Sequence, residues 1–186
     1  MMALYNFTLT LSGVTADTEN LEDALFAGGC DDALLCFYGK SVYLEFDREA
    51  PSLDCAIRTA VEDVESAGVN ARVESVDSAL VGLSDIAELT GMSRQAIALL
   101  KDGARGPGTF PGPVQRLRGQ SSLWDWAAVA SWLMAQGRLA AHSEMAENAK
   151  IISKWNLALR AGAAEDPAEI DIITRSLIAR REKCRC

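Results

Sequence analysis

The sequence predicts an α+β fold in three parts, and three patterns indicate it. In residues 1–78, short segments that alternate between apolar and polar side chains come before and after segments with helical spacing. In residues 81–136, two short helical patterns lie on either side of a glycine and lead into a glycine- and proline-rich stretch. Residues 143–182 contain two longer apolar stripes with helical spacing, which predict a helical hairpin.

The first part begins with a predicted strand and a predicted helix. Residues 4–11 alternate with the period of two that is typical of a half-buried strand, and Gly13 interrupts this pattern. Thr18 is the expected N-cap of a helix that ends at the glycine pair 28–29.

Three strands and one helix complete the first part. Residues 33–38 (ALLCFY) and 42–46 (VYLEF) are predicted strands that are joined by a tight turn at residues 39–40. Pro51 begins a helix with one apolar stripe, and a fourth strand follows over residues 69–76. The resulting order, β-α-β-β-α-β, is that of the ferredoxin-like split arrangement.

The two halves of the chain differ in charge. Residues 1–80 contain 4 basic and 15 acidic side chains, a balance of −11, whereas residues 81–186 contain 14 basic and 11 acidic ones, a balance of +3. Only the second half suits a polyanionic partner. The acidic module of residues 1–78 resembles ACT-type small-molecule-binding modules in the order and length of its elements. We therefore expect dimerisation, sensing of a small-molecule effector or binding of a protein partner there.

We expect neither enzymatic activity nor a cofactor or a metal. His142 is the single histidine, so no Ser/His/Asp or Cys/His set exists, and a glycine-rich phosphate loop is absent from the sequence. The acidic pairs at residues 31–32 and 62–63 have two interpretations, a divalent-cation site or solvated helix and loop edges. Of the five scattered cysteines, Cys184 and Cys186 form either a frayed tail or part of a metal or redox site.

The central segment has the spacing of a helix-turn-helix. With Gly91 at the turn, Ile86 and Ile97 have the positions at which the two helices pack against each other. Ser84 is the expected N-cap of the first helix and Ser93 that of the second. Any short helical hairpin with glycine at its turn has similar spacing, so the spacing alone leaves both interpretations open.

The second of these helices begins with side chains that suit the major groove of DNA. Arginine can bind guanine in bidentate fashion, and glutamine can bind adenine. A capping serine at the positive end of a helix can meet a phosphate. The expected outward residues are Ser93, Arg94, Gln95, Ala98 and Lys101.

A wing is predicted after this helix. Residues 103–113 (GARGPGTFPGP) cannot continue a helix because glycine and proline break it. Residues 114–117 and 122–124 are expected to pair as a short hairpin around residues 118–120, and Asp125 is the expected N-cap of a packing helix. Between Gly91 and Gly119 the chain carries a single acid and five basic residues, which are Arg94, Lys101, Arg105, Arg116 and Arg118.

Three motifs in this region occur in a familiar order. The segments "LSDIAELTGMSRQAIALLKDG", "FPGPV" and "LWDWAAVASWL" resemble the MerR-like winged helix-turn-helix of excisionase- and AlpA-type regulators. The resemblance covers residues 81–136 and implies that Ser93, Arg94 and Gln95 approach bases. It also implies that Arg116 and Arg118, on the wing, bind phosphate or the minor groove. The insert RGPG before the second motif departs from the family and lengthens the approach to the wing.

The C-terminal part is predicted to form two helices, which begin at Ser143 and Pro167. Their apolar stripes predict either core packing or a dimer interface, and Trp155 is the expected anchor of such an interface.

These patterns predict a sequence-specific DNA-binding transcriptional regulator that acts as a homodimer on double-stranded DNA. An apolar run long enough to span a membrane and the basic segment of a secretory signal are both missing from the sequence, which predicts a cytoplasmic protein. The alternative is an antitoxin-like or adaptor protein whose acidic N-terminal module binds a protein partner, with DNA contact secondary.

Overall fold

The computed structural model describes residues 1–140 and 143–184, so the expectations that concern His142 and Cys186 lie outside the described residues. The described chain has an α+β fold with a small antiparallel sheet. In chain order its elements are β1 (Ala3–Ser12), α1 (Leu21–Ala27), β2 (Ala33–Tyr38), β3 (Ser41–Ala50), α2 (Leu53–Ser66), β4 (Arg72–Asp77), β5 (Leu80–Val81), α3 (Leu83–Thr90), α4 (Arg94–Lys101), β6 (Trp124–Asp125), α5 (Trp126–Ala135), α6 (Met145–Gly162) and α7 (Pro167–Lys183). None of these helices is long and apolar enough to cross a membrane.

The first four strands form one sheet in the order β2-β3-β1-β4, with every neighbouring pair antiparallel. The alternation of β1 and β3 directs one face of the sheet towards α1 and α2. On that face Phe7 lies opposite Phe46, and their rings stack with centroids 5.2 Å apart. Side chains from the sheet and from both helices bury together in the first hydrophobic core, which includes Leu9, Leu25, Leu44, Ile57, Val64 and Val76.

Several predicted boundaries in this part are wrong. Helix α2 begins at Leu53, after the N-cap Ser52, and not at Pro51, and β3 continues to Ala50 and does not end at residue 46. Thr18 does not cap α1, because its hydroxyl accepts the backbone N–H of Thr15 instead, and the N-cap residue is Asn20 without a side-chain cap. The fourth strand begins at Arg72 and not at residue 69, because Asn70 has a left-handed backbone conformation that interrupts extended structure.

An arginine that faces the core of the sheet binds one carboxylate from each acidic pair. The Arg48 guanidinium donates to both carboxylate oxygens of Asp32, at 2.7 and 2.9 Å, and to one oxygen of Asp63 at 2.8 Å. It also donates to the Thr59 hydroxyl and to the Gly29 carbonyl. Asp32 and Asp63 are therefore half-buried and form salt bridges with Arg48. These two carboxylates neither form a divalent-cation site nor lie at a solvated edge.

A second hydrophobic core lies among α3, α4 and α5. Its buried residues include Ile86, Ile97, Leu100, Trp126, Val129 and Leu133. The predicted caps at Ser93 and Asp125 are confirmed, since each side chain accepts a backbone N–H three residues ahead, both at 3.1 Å. The predicted cap at Ser84 is wrong, because the helix starts two residues earlier: Gly82 is the N-cap, and its N–H donates to the Asp85 carboxylate at 2.7 Å.

The predicted hairpin of residues 114–117 and 122–124 is reduced to a single bridge between Gln115 and Leu123. Two physical reasons limit it. Arg116 has a positive φ of 55°, which takes the chain out of the extended region. Trp124 pairs instead with Val81, in the two-stranded ladder of β5 and β6.

Helix α6 contacts both cores. Ala146 and Ala149 are buried in the second core, whereas Ile152 and Trp155 pack against the first. The side-chain amide of Asn156 accepts the N–H of Val76 at 3.0 Å and donates to the carbonyl of the same residue at 2.8 Å. These two bonds satisfy the N–H and the carbonyl of Val76 at the outer edge of β4.

Trp155 is not the free interface anchor that was expected. It packs against the first core of its own chain, and its Nε1 donates to the Asp54 carboxylate at 3.0 Å. The predicted start of α7 at Pro167 is confirmed.

Candidate nucleic-acid interface

The turn between α3 and α4 is fixed by local bonds. Gly91 ends α3 with a left-handed backbone (φ +68°), a conformation that glycine adopts without steric cost, and its N–H donates to the Glu88 carbonyl. The Thr90 hydroxyl donates to the Ile86 carbonyl at 2.6 Å and accepts the N–H of Met92. Ile86 and Ile97 are fully buried on either side of this turn, so the relative placement of the two helices is set by packing.

The start of α4 is exposed. Because Ile97 and Leu100 occupy the buried face, Arg94 and Gln95 project to the surface in the first turn. Ser93 is also exposed, and its hydroxyl oxygen is engaged in capping the helix. Ala98 is only half-buried, so a bulky group that approaches this face can reach its methyl group.

A groove of about 580 Å³ lies beside α4, between the start of α3 and the segment that leads to Trp124. Three of the predicted basic residues line it: Arg94, Lys101 and Arg116. One carboxylate, that of Asp85, also lines it and is engaged by the N–H of Gly82. The groove therefore carries an excess of positive charge, although the chain as a whole is acidic.

The other predicted basic residues lie outside the groove lining. Arg105 is exposed in the loop that follows α4, and its backbone N–H donates to the Leu99 carbonyl at 3.0 Å. Arg118 is exposed in the turn that Gly119 closes by donating its N–H to the Arg116 carbonyl. Of the three basic residues that do line the groove, Lys101 forms an ion pair with Asp102, so part of its positive charge is compensated.

Aromatic side chains hold the proline-rich segment against α5. Trp124 donates its Nε1–H to the Pro111 carbonyl at 3.0 Å, and Trp132 donates its Nε1–H to the Thr109 hydroxyl at 3.1 Å. The Phe110 ring meets the Trp132 ring edge to face, with centroids 5.2 Å apart. These contacts fix the start of the segment that carries Arg116 to the groove.

Sequence reasoning missed several polar residues of the groove. The first turn of α3 contributes Ser84, whose side chain does not cap the helix. The segment after Arg116 contributes three more polar residues, which are Gln120, Ser121 and Ser122. The sequence signal for Ser84 is its position at a helix start, which also predicts capping.

Nowhere in residues 1–140 and 143–184 do three or more histidine, cysteine or acidic side chains converge as metal ligands. No protein-family model, no curated protein and no solved structure matches this chain.

Proposed function

We propose that residues 81–136 are a winged helix-turn-helix of the MerR-like type, and that the chain is a cytoplasmic transcriptional regulator that binds double-stranded DNA in a sequence-specific manner. One observation carries the proposal: Arg94 and Lys101, at the two ends of α4, and Arg116, from the segment after the proline-rich loop, line a single groove beside the exposed start of α4. A cluster of cations on a chain with a net charge of −8 needs a reason, and a phosphate backbone supplies one.

In this function α4 enters the major groove. Arg94 and Gln95 lie in its first turn and are exposed, so they are the side chains that reach base edges. Ser93 holds the start of the helix through its bond to Ala96, and its hydroxyl hydrogen remains free to donate to a phosphate. Burial of Ile97 and Leu100 keeps this face in a fixed orientation.

The segment after the proline-rich loop has the place of a wing. Arg116 lines the groove and Arg118 lies at the exposed turn beyond it, so both contact phosphates beside the site of α4. Contacts of this kind strengthen binding to all sequences alike. Residues 1–78, with their β-α-β-β-α-β order and the sheet order β2-β3-β1-β4, serve as a ferredoxin-like module for an effector or a protein partner.

The proposal is tested by selecting bound sequences from a random duplex library and measuring binding at several salt concentrations. We expect Arg94→Ala to weaken binding to the selected site by about 1–3 kcal/mol and to relax specificity, whereas Arg118→Ala weakens binding to all duplexes and reduces the salt dependence. Arg72→Ala is the control, because it removes one exposed positive charge from β4, in the acidic module. Unchanged binding of the first two variants to selected and random duplexes would contradict the proposal.

A second candidate function is supported by the outer face of the sheet. Glu45, Asp47 and Glu49 alternate with the core residues of β3 and form an exposed acidic row. Such a row suits a basic protein partner, as in an antitoxin-like or adaptor protein. This function would be favoured over the first by two results together. The chain would capture one basic protein in stoichiometric amount, and Glu45→Lys/Glu49→Lys would abolish the capture. The chain would also show no salt-dependent affinity for duplex DNA.

A further inference from the structure

Helix α7 is not packed into the fold. None of its residues, all of which the structure describes, is buried. Five large apolar side chains are exposed along it, namely Ile170, Ile172, Ile173, Leu177 and Ile178. Most helices in proteins are stabilised by packing of an apolar face, and a helix of this length is only marginally stable alone. An exposed apolar surface of this kind marks an interaction site.

Three of these side chains form one row. Ile170, Ile173 and Leu177 have the spacing i, i+3 and i+7, so they lie along one side of the helix. Ile172 and Ile178 lie on other sides. The centre of the row falls between residues 173 and 174, close to the middle of the helix.

The sign of the charged side chains on α7 changes near the same point. The segment 165–171 contains four acids and no base, whereas the segment 172–184 contains four bases and one acid. Charged side chains lie beyond each end of the apolar row, on the same side of the helix. Asp166 and Glu169 precede Ile170 and Ile173 by four residues, and Arg180 and Arg181 follow Leu177 by three and four.

From this arrangement we infer that α7 is a dimerisation helix that pairs in antiparallel orientation with α7 of a second copy of this chain. Antiparallel pairing about the centre of the row brings the acidic end of each helix beside the basic end of the other, and the two apolar rows face each other. Parallel pairing would place acid against acid and base against base. The charge pattern is thus complementary to itself in one orientation, which identifies the partner as a second copy.

Dimerisation through α7 does not require DNA, so its test is independent of the proposed regulatory function. The mass of the full-length protein is measured over a range of concentrations by analytical ultracentrifugation. We expect a monomer–dimer equilibrium, and Ile173→Glu should raise its Kd at least about 100-fold, because each dimer loses two buried isoleucines. Ile172→Glu is the matched control, since it makes the same change one residue away and off the row, and it should leave the Kd nearly unchanged.

Charge exchange tests the orientation. We expect Arg180→Glu/Arg181→Glu and Glu169→Lys each to weaken self-association at low salt at least about 10-fold, and an equimolar mixture of the two variants to form a heterodimer. Circular dichroism of each variant verifies that the helices remain folded. Arg105→Glu/Arg118→Glu changes the net charge as the first variant does, but outside α7, and should not affect the Kd.

Three results would overturn the inference. One is a wild-type protein that is monomeric at every concentration. Another is a dimer that Ile173→Glu leaves intact, which would place the interface elsewhere, for example at the edge strand β2 with its exposed Leu34 and Tyr38. The third is that both charge variants associate as tightly as the wild type.

Discussion

The ion pair between Asp32 and Arg48 allows a quantitative prediction of stability. Asp32→Ala removes two of the hydrogen bonds that the Arg48 guanidinium donates, at 2.7 and 2.9 Å. A hydrogen bond to a charged group contributes about 1.5–3 kcal/mol, so the two together give an upper range of about 3–6 kcal/mol. The Arg48 side chain is 8% exposed and that of Asp32 is 29% exposed, so water replaces part of the loss. We expect the free energy of unfolding to fall by about 2–4 kcal/mol.

Urea denaturation followed by circular dichroism measures this change. With a slope of about 1–3 kcal/mol/M, the transition midpoint should move to a urea concentration lower by about 1 M or more. Asp31→Ala is the matched control, because Asp31 is the exposed neighbour of Asp32, and its effect should stay within about 0.5 kcal/mol.

A double-mutant cycle tests the cause. In an Arg48→Met background, Asp32→Ala should have a much smaller effect, since the bonds that it removes are already gone. The reasoning is refuted if Asp32→Ala is as stable as the Asp31→Ala control, or if its effect is equally large without Arg48.

Two further predictions concern the contacts of α6. Asn156→Ala should lower the free energy of unfolding by about 1–3 kcal/mol and speed hydrogen exchange of the Val76 amide, because the edge of β4 loses both bonds. Asn148→Ala, in the same helix, is the control. Equal effects of the two substitutions would contradict the prediction. The hydrogen bond from Lys154 is the largest cause that holds the pKa of Asp54 below its ordinary value, against the opposing effect of burial. This carboxylate therefore contributes stability above its ordinary pKa that is lost as the pH falls through the lowered value. Asp54→Asn should remove that part of the acid dependence, and an unchanged pH profile of unfolding would show that the contribution is negligible.

The elements that local patterns specify could be predicted from the sequence. The alternation in residues 4–11 became a strand, because a period of two is a property of the strand itself, and the short apolar run ALLCFY, which ends at a tight turn, became another. The caps at Ser93 and Asp125 were predicted correctly, since each is followed by a residue pattern that can only be buried as a helix. Bounds were less certain where one Ser or Thr had competing partners, as at Thr18.

Long-range contacts could not be predicted in the same way. Nothing in the local pattern of β3 distinguishes Arg48 from a surface arginine, because its partners come from separate segments of the chain. The apolar stripe of α6 was recognised, but a stripe does not specify which surface covers it. At the candidate site, Arg94, Lys101 and Arg116 line one groove, whereas the path of the loop leaves Arg105 and Arg118 outside the groove lining.

Helix α6 has a thermodynamic consequence for the whole chain. It is one continuous helix that supplies buried residues to one core through Ala146 and Ala149 and covers the other through Ile152 and Trp155. Loss of either core removes part of the packing that keeps α6 helical, and so weakens the other core as well. We therefore expect the two cores to unfold together, and any ligand that stabilises the N-terminal sheet to stabilise the helices that line the basic groove as well.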